Sequence, residues 1–210
     1  MRINIVLALL LSSLSFPWVA QAHLITTAGN ETTAQIEGQS FRLFPVGKGL
    51  RTKAVVFVQV NVYNGELFVN DPATFKKSEV EALTSLDQQK AVAIQLHFLR
   101  NLDALTIQKS FKECLALNGV NLEDPSIKLL LNALVQGGDI KKDLTLTILG
   151  TRMADGSELV SYEATSGQAN VVKGSTGFIH NVFSIWLGKT SDLGMTRLKH
   201  ELLQKTPDKN

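Results

Sequence analysis

The sequence predicts an α+β fold, an antiparallel β-sheet with helices covering one face. Three observations lead there. Apolar and polar residues alternate with period two in several separate segments, which is the signature of half-buried strands. Two amphipathic helical stretches follow one another in mid-chain with cap residues at their ends. Two more helical stretches close the chain, so helices are grouped rather than interleaved singly with strands.

The first element lies outside the fold. Arg2 supplies a positive start, "INIVLALLLSSLSF" a short apolar core and Ala20-Gln21-Ala22 a small-x-small cleavage site. Residues 1–22 are therefore expected to be a cleaved signal peptide and residues 23–210 a single exported domain, periplasmic or secreted. No cysteine follows the expected cut, so no lipid anchor is indicated, and no later run is long and apolar enough to span a membrane.

"TAQIEGQSFRLFPVG" reads as a hairpin turning near Gly38. Residues 54–63 read as one strand. Its aliphatic face is Ala54, Val56, Val58, Val60 and Val62, expected in the core; its mixed face is Val55, Phe57, Gln59, Asn61 and Tyr63. "DPATFKKSEVEALTSL" predicts a short helix with Asp71 as cap and Pro72 in the first turn. "KAVAIQLHFLR" is a strand with Val92, Ile94, Leu96 and Phe98 on one face. "LDALTIQKSFKECLALNG" carries an apolar stripe of Ala104, Ile107, Phe111, Cys114 and Leu115. "DPSIKLLLNALVQGG" runs from an Asp-Pro start to a glycine stop. Strands "DLTLTILGT", "SELVSYEAT" and "QANVVKG" are separated by turns at Asp155-Gly156 and Ser166-Gly167. "TGFIHNVFSIWLG" and "DLGMTRLKHELLQK" then form the terminal helices. The sum is six or seven strands.

Composition removes several functions. Lys and Arg number 21 against 19 Asp and Glu, and no basic stripe is interleaved with aromatics, so nucleic acid is not an expected partner. The histidines His23, His97, His180 and His200 are scattered and no paired-cysteine spacing exists; no metal and no cofactor are expected. The lone Cys114 sits among apolar neighbours as a packed helix residue. Gly47-Lys48-Gly49 lacks the pattern of a phosphate loop.

Arg51 and Tyr63 remain. A guanidinium stays charged and holds a carboxylate through two hydrogen bonds, and a phenol is a natural second donor. An arginine at a strand start is also commonly a solvated or paired surface charge. An unbroken strand would hold the two residues roughly 40 Å apart. A shared site therefore needs a sharp turn or bulge, expected around Thr52-Lys53-Ala54.

"FRLFPVGKGLRTK", "VNVYNGELFV", "VAIQLHFLRNLDA", "FIHNVFSIWLG" and "LKHELL" together resemble the chalcone isomerase-like family in its bacterial, exported branch, over about residues 35–204. The resemblance implies an open-faced sandwich with an apolar cleft between sheet and helices. In the plant isomerases the arginine of G-x-G-x-R, matched by Arg51, stabilises an anionic oxygenated substrate during ring closure. Tyr63 falls where those enzymes carry threonine and is similar instead to the fatty-acid-binding members, in which arginine and tyrosine grip a carboxylate. The isomerases' helix tyrosine and asparagine have no counterpart in "DALTIQKSFKECLAL". Ser184, before Trp186-Leu187-Gly188, stands near a cleft threonine of the family; a helix serine bonding back to a carbonyl is the alternative. The expectation is a non-catalytic protein that binds a small apolar or amphipathic anion through Arg51, Tyr63 and Ser184. The alternatives are an intramolecular lyase acting on a chalcone-like enone and an interaction protein with a vestigial cleft.

Overall fold

Each alternating segment pairs with the next one in the chain. The computed structural model describes residues 23–56 and 58–204; the expected signal peptide and the tail beyond 204 lie outside the described residues. Eight strands, β1 (Ile25–Ala28), β2 (Glu31–Ile36), β3 (Gln39–Val55), β4 (Val58–Val69), β5 (Ala91–Phe98), β6 (Thr145–Arg152), β7 (Glu158–Glu163) and β8 (Ala169–Gly174), form one antiparallel sheet in sequence order. Helix α1 (Ala82–Ser85) lies between β4 and β5. Helices α2 (Ala104–Leu117) and α3 (Pro125–Gln136) follow β5, and α4 (Phe178–Leu187) and α5 (Leu193–Leu203) follow β8. Among the described residues no helix is long and apolar enough to cross a membrane.

The helix ends obey their local chemistry. Asp103, Asp124 and Asp192 each accept a backbone N–H from the first turn of α2, α3 and α5, and Pro125 fills the first turn of α3. Gly156 and Gly167 take positive φ at the two expected turns. The main core lies between the helices and the sheet face that carries Val92, Ile94, Leu96 and Phe98, as the alternation of β5 required. Helix α4 is its centre, with Val182, Phe183 and Trp186 all buried. The opposite face is also covered. Leu24, Ile25, Ala34 and Ile36 of the N-terminal hairpin pack with Phe68, Ala93 and Leu149, and Glu163 of β7 accepts the Leu24 N–H at 3.0 Å.

Two local expectations are corrected. Residues 71–74 form a loop, not a helix start. Asp71 Oδ1 accepts the Ala73 N–H at 3.0 Å, and the Gln89 side chain bonds both the N–H and the C=O of Asp71. The helix starts later, at Ala82, with no side-chain cap; in the turn before it the Ser78 hydroxyl accepts the Glu81 N–H and donates to the Glu81 carboxylate.

The second correction concerns residues 54–63, which are not one strand. Register pairs run Lys53 with Val60, Ala54 with Gln59 and Val55 with Val58, so the chain reverses between β3 and β4. Val56 and Val58, assigned to the core, are 85% and 63% exposed. Both arms of the hairpin alternate correctly, and no turn residue interrupts them, so the reversal leaves no mark in the sequence. Val56 occupies the left-handed region at φ 57°, which costs a β-branched residue roughly 1–2 kcal/mol. Val56→Asn is expected to stabilise the fold by about 1 kcal/mol, because asparagine tolerates that backbone. Urea unfolding of the two proteins measures the difference; equal or lower stability of the variant contradicts the strain.

Candidate functional site

The glycines of Gly47-Lys48-Gly49-Leu50-Arg51 explain the first half of the site. Successive odd residues of a strand face one way, and here they face α5. A Cβ on Gly47 would come within 2.4 Å of the Leu202 carbonyl oxygen, and one on Gly49 within 2.7 Å of the Glu201 Cβ. The bare backbone lets α5 lie directly on β3, where Glu201 accepts the Leu50 N–H at 2.7 Å. Gly194 makes the same close approach at the other end of α5, since a Cβ there would meet the Thr52 carbonyl oxygen at 1.8 Å. Two residues beyond Gly49, this contact delivers Arg51 to the N-terminus of α5.

Arg51 is buried and held from two directions. Its guanidinium donates to both carboxylate oxygens of Asp192 at 2.6 Å, and to the Thr52 carbonyl. Asp192 also caps α5 through the Met195 N–H at 3.0 Å. Partial burial opposes ionisation of Asp192, but the Arg51 hydrogen bonds and charge together with the helix amides outweigh it and hold the carboxyl below its usual 3.8.

Tyr63 is the cross-strand partner of Arg51, which puts the two Cβ atoms about 5 Å apart. Of the turn or bulge expected near Thr52-Lys53-Ala54, the bulge is there, and the turn lies beyond Val55. What occurs beside Thr52 is a register shift, in which Val62 is the extra residue between the Arg51–Tyr63 and Thr52–Asn61 pairs. The Tyr63 hydroxyl accepts the Trp186 indole N–H at 3.2 Å and points its own proton toward the Met195 sulfur at 4.0 Å. Burial pushes its ionisation up to about 12 against the weaker pull of Trp186 and Arg51, so at neutral pH it is an intact donor.

Beside this pair a cleft of 380 Å³ opens between sheet and helices, a size typical of small-ligand sites. Val60, Val62, Leu96 and Phe98 line its sheet wall, and Ile107, Phe111 and Cys114 of α2 the opposite one. Lys53 and Arg100 stand among its lining residues on the exposed side. Cys114 is buried, as its neighbours implied. Burial raises its thiol pKa, so the sulfur is a protonated wall atom and not a nucleophile. Among the described residues no group of three or more His, Cys, Asp or Glu could hold a metal ion.

The structure thus brings Arg51 and Tyr63 together and leaves Ser184 apart. Ser184 is buried on α4, donates to the Asn181 carbonyl at 2.6 Å and does not line the cleft; it is a helix serine bonding back to its own backbone. Asp192, Trp186 and Met195 adjoin the pair without a signal in the sequence that links them to it. "DLG" announces Asp192 only as a helix cap, and nothing in the sequence ties it to an arginine 141 positions away.

An open antiparallel sheet backed by helices, with an apolar cleft between them, is the architecture of the chalcone isomerase-type folds. The chain belongs to the chalcone isomerase-like family, whose sequence profile matches residues 22–204. A crystal structure of an Arabidopsis thaliana fatty-acid-binding protein is similar, with a TM-score of 0.52 and 16% identity, over 81% of this chain and 95% of that one. At this identity the likeness is one of fold. No curated protein matches the sequence.

Proposed function

We propose that this protein is an exported, bacterial member of the family that binds a small apolar anion, such as a fatty acid or an aromatic acid, without turning it over. The observation that carries the reading is the Arg51–Tyr63 pair, both buried, on the wall of an otherwise apolar cleft. Apolar walls supply affinity in proportion to the surface they cover, and one fixed cation sets the ligand's direction. Asp192 already fills the guanidinium fork, so an incoming carboxylate takes its place, with the neutral Tyr63 phenol as the second donor. The fatty-acid-binding neighbour supports this class of ligand. The N-terminal segment supports export to the periplasm or the exterior. Solvent extraction of the natively purified protein followed by mass spectrometry tests the reading. A stoichiometric apolar acid is the expected result, and an empty protein that also fails to take up added fatty acid overturns it.

Catalysis of ring closure is expected to be negligible. The reaction needs donors preorganised around a developing oxyanion, each commonly worth about 3–4 kcal/mol. In this chain the charge of Arg51 is neutralised by Asp192, and α2 carries neither the tyrosine nor the asparagine that the resemblance to the plant isomerases would require. Closure of a hydroxylated chalcone, followed by loss of its absorbance, should match the spontaneous rate within a small factor. Saturable turnover that vanishes in Arg51→Ala would instead make the protein an isomerase.

A further inference from the structure

The β3–β4 hairpin tip is the least expected surface of the molecule. Val55, Val56 and Val58 are 49%, 85% and 63% exposed. A tight reversal of this kind favours asparagine or glycine in left-handed backbone, yet the position holds valine at φ 57°. Local backbone preference and solvation both oppose these residues, a conflict that marks a surface selected for something else. The tip is continuous with the cleft. Val55 and Val58 face each other across the last register pair, and strand alternation puts them on the side of Lys53 and Val60; Lys53, Val55 and Val60 all line the cavity. Two more exposed leucines adjoin cleft-lining residues, Leu105 beside Thr106 and Leu193 beside Asp192. Lys53 and Arg100, both exposed, have no hydrogen-bond or ion-pair partner among the described residues.

We infer that the hairpin tip docks the protein on an anionic lipid bilayer, with the cleft mouth turned toward the membrane. A narrow apolar tip flanked by free cations suits the interfacial zone of a bilayer. Valines enter the acyl boundary while lysine and arginine reach the phosphate layer along their aliphatic stems. Anionic lipids are the matching head groups, because Lys53 and Arg100 at the mouth lack partners among the described residues. Docking stands on the tip and its charges alone; only its purpose, passage of an apolar acid between bilayer and cleft, rests on the proposed function.

Co-sedimentation of the protein with vesicles of equal phosphatidylglycerol and phosphatidylcholine, and with phosphatidylcholine alone, tests the inference. The protein is expected to pellet with the mixed vesicles at least fivefold more tightly than with the neutral ones. Val56→Asn combined with Val58→Asn should weaken the mixed-vesicle binding at least tenfold. The exchange at 56 relieves strain, so a folded variant is expected, and circular dichroism verifies it. Lys53→Glu with Arg100→Glu should bring mixed-vesicle binding to or below the neutral level. Wild-type protein that stays in the supernatant, as it would if the tip met a protein instead, overturns the proposal. So does a tip variant that pellets like wild type. Fatty-acid titration in vesicle-free buffer reads the cleft separately: docking without uptake removes the proposed function and keeps this inference, and uptake without docking does the reverse.

Discussion

Replacing Arg51 by alanine is expected to lower the affinity for an anionic apolar ligand more than a hundredfold and leave the fold standing. The guanidinium is the buried cation of the cleft, and removing one member of a desolvated charge pair costs about 3–5 kcal/mol, where 1.4 kcal/mol is a factor of ten. The structure adds a second penalty. Without Arg51 the ligand carboxylate meets Asp192 with its charge no longer neutralised. The fold survives because Asp192 keeps its capping bond to Met195 and its side chain is 38% exposed, so water takes over the freed oxygens at a cost of about 1–3 kcal/mol. Titration of both proteins with the same fatty acid decides the matter, with thermal unfolding as the control. Unchanged affinity removes the anion site.

Asp192→Asn is expected to act in the opposite sense and tighten binding of the same ligand at least tenfold. Wild type must break two 2.6 Å charged hydrogen bonds before a carboxylate reaches the fork, and bonds of that kind contribute about 1.5–3 kcal/mol each at most. Asparagine still caps α5 but carries no charge to compete. The free variant is less stable, because Arg51 is left with the Thr52 carbonyl, and ligand restores the loss. Acid supplies an independent check. The folded carboxyl of Asp192 titrates below its usual 3.8, so the pair's contribution to stability is present above that value and disappears as pH falls through the depressed one. The stability gap between wild type and Asp192→Asn should therefore narrow in strong acid. Weaker fatty-acid binding by the variant would show that Asp192 assists the ligand rather than excluding it.

Most of the fold was legible because its determinants are local. Period-two alternation marked β5 through β8 and Asp124-Pro125 marked the start of α3, while Asp103 and Asp192 cap α2 and α5 by chemistry that is likewise contained within one turn. The unread reversal between Val55 and Val58 has a local cause too, since the valines on both sides of it satisfy every strand criterion.

The sequence by itself determined the α+β class, the grouping of the helices and the apolar faces, and through resemblance it singled out Arg51 and Tyr63 as candidates. Only the tertiary structure decided that these two residues face each other across a hairpin, that the glycines before Arg51 make room for α5, that Ser184 bonds to its own helix, and that Asp192 holds the guanidinium. The physical reason is the range of the interactions. Alternation and capping act over a few residues and leave a pattern in the chain. The Arg51–Asp192 and Tyr63–Trp186 contacts span 141 and 123 positions and exist only once the sheet and helices have packed.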